Sequence, residues 1–351
     1  MPTHHRRARH GFTLVELLVT IGIIGMLMSL LVVGVRQAML RARVASTVVE
    51  ISKLASSVQA FKERYGAYPL CMGDKTASAT GSISGRQQRF VTSVRKAFPR
   101  YVPANPAYST INTFIQSNYK YKNKTQQLMS LSLDTLDPSE SLVFWLGGFP
   151  TPVDTASGLP RSSRKLFGFH TDPTAPFRVD TSSSSVVAQR TTSLFDFDDG
   201  RLQDSDNDGW LEYVPSLLNS VDSSAPYVYF DAQTYTQGSP SIGQATSANY
   251  LGYSSTVYPD WGVAVPWAGT VSSTAPISWI NPNTFQIISS GADGSYSSSN
   301  ELSQSSPRVP VYPAAQEYRY GSATTATALD SYEQDNLTNF ADGTVSDAAG
   351  S

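Results

Sequence analysis

An uncharged apolar segment near the amino terminus, Leu17–Val35, restricts the fold of this 351-residue chain more than any other feature. As an α-helix its 19 residues span about 28 Å, close to the roughly 30 Å hydrocarbon core of a bilayer. The preceding stretch, Met1–Gly11, carries three arginines and no acid, so we expect it to stay in the cytoplasm. The pattern predicts a single-pass helix over residues 12–35, with the rest of the chain on the far side of the membrane.

A cleaved secretory signal peptide would begin in a similar way. However, this apolar run exceeds the roughly 7–15 residues of a signal-peptide core, and Gly34-Val35-Arg36-Gln37 offers no small-x-small cleavage site. Glu16 also places a carboxylate at the start of the run, which costs up to about 3 kcal/mol in lipid unless it is paired. These features favour a membrane helix that is retained.

The hexapeptide Gly11-Phe12-Thr13-Leu14-Val15-Glu16 resembles the processing site of type IV pilins and type II secretion pseudopilins. The resemblance implies that a prepilin peptidase cuts between Gly11 and Phe12 and methylates the new amino terminus. Glu16 would then face the Phe12 amine of a neighbouring subunit. Opposite charges about 4 Å apart gain roughly 4 kcal/mol at an effective dielectric constant of 20, before desolvation is subtracted. Such a pair would hold filament helices in register.

Apolar residues at three- and four-residue steps predict that the helix continues past Arg36 to Tyr65. Most charged residues, Glu50 among them, fall on its other faces. Gly66 is expected to end it, and the segment Tyr65–Pro69 resembles the helix exit of type II pseudopilins. We expect one face to pack on a sheet, with a coiled-coil dimer as the alternative. That apolar stripe consists of Val44, Val48, Ile51, Leu54, Val58, Phe61 and Tyr65.

The remaining sequence predicts two short helices followed mainly by strands. Gly85–Phe98 has apolar residues at four-residue steps, and Asp137, Pro138 and Glu140 form a capping box for a helix over Ser139–Leu146. Short apolar runs bounded by turn residues predict strands at Tyr227–Phe230, Trp261–Val265 and Thr284–Ser289. We therefore expect an α+β, pilin-like fold in which a long transmembrane and amphipathic helix packs on a mainly antiparallel head.

Five divisions of the chain follow from these patterns. They are a cleaved leader at 1–11, a transmembrane helix at 12–35, its amphipathic continuation at 36–66, a globular head at 67–320 and a flexible tail at 321–351. Low-complexity segments at Thr181–Ser185 and Ser295–Ser306 are expected to be mobile loops.

Charge is segregated along the chain. Residues 75–133 contain nine basic side chains and no acid, interleaved with Tyr101, Tyr108, Tyr119 and Tyr121. A nucleic-acid surface requires such cations and aromatic rings. A solvated face that pairs with an acidic surface of the next subunit is the alternative, and we favour it.

An acidic loop beginning at Asp204 has the composition of a calcium site. Alternate carboxylates at Asp204, Asp206 and Asp208, followed by Gly209, supply oxygen ligands of the kind that Ca²⁺ prefers. The Trp210 carbonyl would add a fourth ligand, and Glu212 would reach the ion directly or through water. The loop resembles those of EF-hand and dockerin-type proteins, except that Pro215 stands where they have a bidentate glutamate. An exposed turn without a metal is the alternative.

A weaker candidate for calcium lies at Ser290–Gly294. It resembles the Ser-x-Gly-x-Asp-Gly loop near the carboxy terminus of major pseudopilins, where that family binds calcium, and Ser290 and Asp293 are the matching positions. An ordinary turn is the alternative here.

No catalytic motif stands out, so we expect no enzyme activity. The sequence lacks a Gly-x-Ser-x-Gly elbow, a His-Glu-x-x-His pair, a Cys-x-x-Cys pair and a phosphate-binding loop. We interpret the chain as a structural subunit of an inner-membrane-assembled filament, foremost the pseudopilus of a type II secretion system, with its head in the periplasm. Its partners would be prepilin peptidase, other pilin-like subunits and platform proteins. The alternatives are a type IV pilin for adhesion or DNA uptake, and a membrane-anchored, calcium-stabilised extracytoplasmic binding protein or hydrolase.

Overall fold

The computed structural model describes residues 13–72, 82–103, 106–122, 125, 127–150, 166–178, 190–216, 225–235, 252–255, 257–272, 274–298, 308–319 and 326–349. The chain divides into two compact units, Met1–Arg43 and Val44–Ser351. The cleavage position between Gly11 and Phe12, and the predicted loop Thr181–Ser185, lie outside the described residues.

The fold is α+β, with helices concentrated in the first half. The helices are α1 (Leu14–Tyr65), α2 (Ser82–Ala97), α3 (Tyr108–Asn118), α4 (Pro138–Gly147), α5 (Ala232–Tyr235), α6 (Ser331–Gln334) and α7 (Val345–Ala349). The strands are β1 (Lys120–Lys122), β2 (Leu128–Ser130), β3 (Phe149–Pro150), β4 (Leu166–Phe167), β5 (Leu202–Gln203), β6 (Glu212–Tyr213), β7 (Val228–Asp231), β8 (Tyr253–Ser254), β9 (Val263–Ala264), β10 (Ala268–Thr270), β11 (Ser278–Trp279), β12 (Phe285–Ser289), β13 (Arg308–Val311), β14 (Gln316–Arg319), β15 (Thr327–Ala328) and β16 (Leu337–Thr338).

Pairing of the described strands is mainly antiparallel, as the sequence predicts. A three-stranded sheet has the order β16-β12-β7, and a five-stranded sheet has the order β11-β10-β13-β14-β15, in which β10 and β13 run parallel. The other described strands form two-stranded pairs. The predicted strands at 227–230 and 284–289 match β7 and β12, whereas 261–265 begins with a 3₁₀ turn before β9.

Helix α1 follows the prediction at its carboxyl end. Within the second unit, Ile51, Leu54, Val58 and Phe61 are buried, and the Phe61 ring lies 5.6 Å from that of Trp145 in α4. Gly66, with φ at +77°, follows the helix in a backbone conformation that favours glycine. The head therefore covers this stripe, which the coiled-coil alternative would have left for a second helix.

Within the first unit, the large apolar side chains are exposed. The exposed fraction is 78% for Leu14, 59% for Ile21 and 67% for Leu31. Within the described part of the chain, no helix combines the length and the mean hydropathy that crossing a membrane requires. The transmembrane character predicted for residues 12–35 is thus not confirmed.

Glu50, which the sequence places outside the apolar stripe of α1, is bound by side chains of the head. It accepts two 2.6 Å hydrogen bonds from the Arg201 guanidinium, and the hydroxyls of Tyr213 and Tyr227 also donate to it. Burial raises the pKa of both tyrosines and the Glu50 carboxylate raises it further, so both hydroxyls keep their protons and donate. A largely buried ion pair therefore fastens the second half of α1 to the head.

The predicted flexible tail at 321–351 is also corrected over its described part. Strand β16 pairs with β12 in the three-stranded sheet, and Leu329, Leu337 and Val345 are buried. These apolar residues are too widely spaced to give a periodic signal, and the strand they join is far away in sequence. The head therefore extends to residue 349. Tyr296 and Ser297, at the start of the predicted loop Ser295–Ser306, are buried as well, and residues 299–306 lie outside the described part.

Candidate functional site

The start of α1 is organised around Glu16. Thr13 immediately precedes the helix, and both its backbone N–H and its hydroxyl donate to Glu16 Oε2, at 2.9 and 2.8 Å. The Glu16 N–H in turn donates to Thr13 Oγ1 at 3.2 Å. This is a capping box, in which the helix satisfies its own first amides. Glu16 thus has a local structural role that the motif did not suggest, beside the predicted pairing with Phe12.

The acidic loop after β5 places three predicted ligands together. Carboxylate oxygens of Asp204, Asp206 and Asp208 all lie within 4.8 Å of one another. The two Asp204 oxygens accept the backbone N–H groups of Asp208 and Gly209, which winds the chain around that carboxylate. A spacing of this kind suits a single hard cation with oxygen ligands.

Gly209 has two physical reasons to be glycine. Its φ of +96° is unfavourable for other residues, and a Cβ there would lie 2.5 Å from Cδ1 of the Tyr121 ring. The Tyr121 hydroxyl donates to the Asn207 carbonyl, so the same side chain contacts the loop at Asn207 and at Gly209. The glycine of the motif therefore lets the loop close against the hairpin formed by β1 and β2.

The amino end of α4 brings two further carboxylates to the loop. Asp137 and Glu140 form the predicted capping box, with Asp137 accepting from the Ser139 and Glu140 amides and Glu140 accepting from the Asp137 amide. Both are buried, and each offers an oxygen within 4.8 Å of the other and of Asp206. The sequence predicts these two residues as a helix cap, and their place beside the acidic loop is a finding of the structure.

Glu212 and Trp210 lie next to this cluster in other roles. Glu212, in β6, is buried and accepts from the hydroxyls of Ser139 and Tyr253 at 3.2 and 3.3 Å. Ser139 also donates to Asp137, so its hydroxyl links the two carboxylates. The Trp210 indole N–H donates to the Ser132 carbonyl at 2.6 Å. Ligation by Glu212 or by the Trp210 carbonyl stays a prediction.

The second candidate loop is held by a residue that the sequence did not single out. Asp335 Oδ2 accepts the amides of Ala292 and Asp293 at 2.8 and 3.1 Å, while Asp293 accepts from the Ser295 amide. Ser290 is buried at the end of β12. Asp335 therefore closes the loop from the carboxyl-terminal segment, and Asp293 lies on its exposed side.

The aromatic residues of the basic stretch do not form a nucleic-acid surface. Tyr108, Tyr119 and Tyr121 are buried, and the Tyr119 ring stacks on Phe149 at 4.1 Å. Tyr101 is half-buried and contacts Phe177. Base stacking requires exposed rings, so the interleaved tyrosines belong to the packed part of the head.

His170 is a packed residue. It is 5% exposed, and its Nδ1 accepts the backbone N–H of Asp172 at 2.9 Å. By accepting this amide, the His170 ring stabilises the turn that follows β4.

Comparison with known proteins adds one finding at the amino terminus. A family model described as the prokaryotic N-terminal methylation motif matches residues 6–32. Neither the search of curated proteins nor the search of solved structures gave a match. The match includes Gly11, Phe12 and Glu16 and stops short of the head, so it bears on processing rather than on the acidic loop.

Proposed function

The chain carries the prepilin-type methylation motif of type IV pilin-like proteins, and from that premise we propose that it is a structural, non-enzymatic subunit of a filament. Prepilin peptidase cuts between Gly11 and Phe12 at the inner membrane and methylates Phe12. The mature chain then packs with other pilin-like subunits into a helical filament, with its head outside the cytoplasm. The observation that carries this proposal is the motif match over residues 6–32.

Two properties of the amino-terminal unit support insertion in the membrane before assembly. The run Leu17–Val35 is uncharged, and the described large apolar side chains of this part of α1 are exposed. Exposed apolar area of this kind is stabilised by lipid or by neighbouring helices. The basic residues before Gly11 favour an orientation with the amino terminus in the cytoplasm.

Among filament systems, we propose the pseudopilus of a type II secretion system, whose platform proteins would be further partners. The burial of Tyr108, Tyr119 and Tyr121 weakens the alternative of a DNA-uptake pilin. A type IV pilin for adhesion remains as an alternative, as does an anchored binding protein or hydrolase that never polymerises.

We also propose that the acidic loop binds one structural calcium ion. Asp204, Asp206 and Asp208 would hold it, with Asp137 and Glu140 at the amino end of α4 close enough to Asp206 to share the charge. Five carboxylates in so small a volume repel one another unless a cation neutralises them. The ion would tie the loop to α4, and Glu212 and the Trp210 carbonyl are further ligand candidates. The loop around Asp293 is the weaker second candidate.

Mass spectrometry of the mature amino terminus tests the main proposal. Expressed with a prepilin peptidase, the chain should begin at an N-methylated Phe12, and the Gly11→Leu variant should keep Met1. A wild-type chain that retains its leader, or is cut elsewhere, would support the anchored, non-polymerising alternative instead.

A further inference from the structure

An open groove of about 500 Å³ lies between α2 and the amino end of α3. Both helices are free of acidic residues, and Arg95 at its edge is exposed. The groove is lined by residues that include Gln88, Val91, Arg95, Pro106, Ala107 and Ser109. Tyr108 also lines it, and its hydroxyl donates to the Asp134 carboxylate at 2.9 Å, so the positive charge of the groove comes from the side of Arg95.

The amino end of α3 adds to the positive potential of this groove. Its N-cap residue, Ala107, has no side-chain acceptor for the first amides of the helix. These amides carry the positive end of the helix dipole, which favours a carboxylate nearby by about 0.3–1 kcal/mol. A carboxylate that reaches the groove would therefore meet both this helix end and the Arg95 guanidinium.

The same chain presents a matching acidic segment. Asp196, Asp198 and Asp199 are exposed. Phe195 and Phe197, which alternate with them, pack against the ring of Tyr213 at 5.7 and 5.0 Å. The rings pack inwards and the carboxylates lie on the outside, so this segment presents an acidic surface.

We propose that the groove between α2 and α3 receives the aspartates 196, 198 and 199 of a second copy of this chain. Two different, complementary surfaces on one chain make a heterologous contact, which repeats into an open helix when it does not close a ring. This inference rests on the proposed filament function and names the head surfaces that would join the subunits.

Disulfide cross-linking of the full-length chain in membranes tests the contact. We would combine Gln88→Cys in the groove with Ser193→Cys beside the aspartates, since both residues are exposed. The native Cys71 is 1% exposed, which keeps background cross-linking low. The double variant should give a ladder of multimers, each single variant should give none, and a mixture of the two single variants should stop at dimers.

Charge reversal then tests the chemistry in the same double-cysteine background. Arg95→Glu, or Asp196→Lys with Asp198→Lys, should each reduce the ladder about tenfold, because like charges facing each other are costly. Combining all three changes should restore it. Arg100→Glu is the matched control, since Arg100 is exposed and does not line the groove, and it should leave the ladder unchanged.

The outcomes separate this inference from the function on which it rests. If Phe12 is not exposed by processing and no multimers form, the filament function is wrong. If processed chains assemble but the Gln88–Ser193 link never forms, or if reversal at Arg95 has no more effect than at Arg100, the docking surface alone is wrong.

Discussion

The two units of this chain differ in the exposure of their large apolar side chains. In the amino-terminal unit, large apolar residues such as Leu14 and Met26 are more than 70% exposed. In the second unit, Leu54, Val58 and Phe90 are fully buried. The head thus has a core of its own, whereas the amino-terminal helix leaves its described large apolar side chains exposed.

Two glutamates of α1 show the same contrast. Glu16 is exposed and accepts from Thr13 within its own helix turn, so a partner from outside could replace that contact. Glu50 is largely buried and is bound by Arg201, Tyr213 and Tyr227 of the head. One carboxylate is therefore available to other molecules, and the other is committed to the fold.

Substitution of Glu16 should give the largest effect, on assembly. Glu16→Gln keeps an oxygen that can accept from Thr13 but removes the charge, and Glu16→Ala removes both. If the charge pairs with a neighbouring Phe12 amine, both variants should insert normally and yield no filaments, as judged by shearing and immunoblotting. If Gln supports normal filament yield and Ala does not, the capping box is the important contact, and the proposed ion pair is wrong.

Breaking the Glu50 contact should destabilise the head without a direct effect on insertion. Glu50→Gln leaves the Arg201 guanidinium largely buried without its counter-charge, which costs about 3–5 kcal/mol. Urea denaturation of the full chain in detergent, followed by tryptophan fluorescence, would measure the loss. Glu63→Gln, an exposed glutamate on the same helix, is the control and should change stability by less than about 0.5 kcal/mol. Equal effects would mean that the ion pair adds nothing.

Calcium should stabilise the head by a smaller amount. A ligand at a hundred times its Kd adds about 2.7 kcal/mol, which corresponds to a rise in Tm on the order of 5 °C. Asp206→Asn should abolish the rise, because Asp206 belongs to both acidic groups. Asp196→Asn is the control, because Asp196 lies ten residues before Asp206 and belongs to neither acidic group. This variant should retain the rise in Tm. A wild-type Tm that does not respond to calcium would exclude the site.

Local patterns in the sequence predicted local features well. The three- and four-residue spacing identified the buried face of α1, and the series from Asp137 to Glu140 identified the capping box of α4. The spacing of Asp204, Asp206 and Asp208 likewise predicted that they converge. In each case the determining contacts lie within a few residues, where periodicity and capping rules apply.

Contacts between distant segments were not predictable in this way. Nothing near Glu50 indicates that Arg201 binds it, and nothing near Asp206 indicates that it lies beside the amino end of α4. Asp335 closes the loop of Asp293 from the carboxyl-terminal segment, which the sequence suggested was a tail. These placements depend on tertiary packing, which a single sequence without periodic signals does not reveal.

Glu333 lies in that same carboxyl-terminal segment, so its titration tests how tightly the segment packs on the head. Burial raises its pKa to about 8, and Arg308, 2.8 Å away, opposes the rise. A raised pKa in the folded state means that its contribution to stability is complete below the ordinary pKa of 4.5 and is lost as pH rises towards 8. We expect the wild type to lose about 2 kcal/mol relative to Glu333→Gln between about pH 6 and pH 8, because much of the gap between the unfolded and folded pKa is crossed in that window. Parallel denaturation curves at both pH values would measure this difference, with Glu63→Gln as the control. If wild type and Glu333→Gln respond identically to pH, the carboxyl-terminal segment is not packed tightly enough to perturb this group.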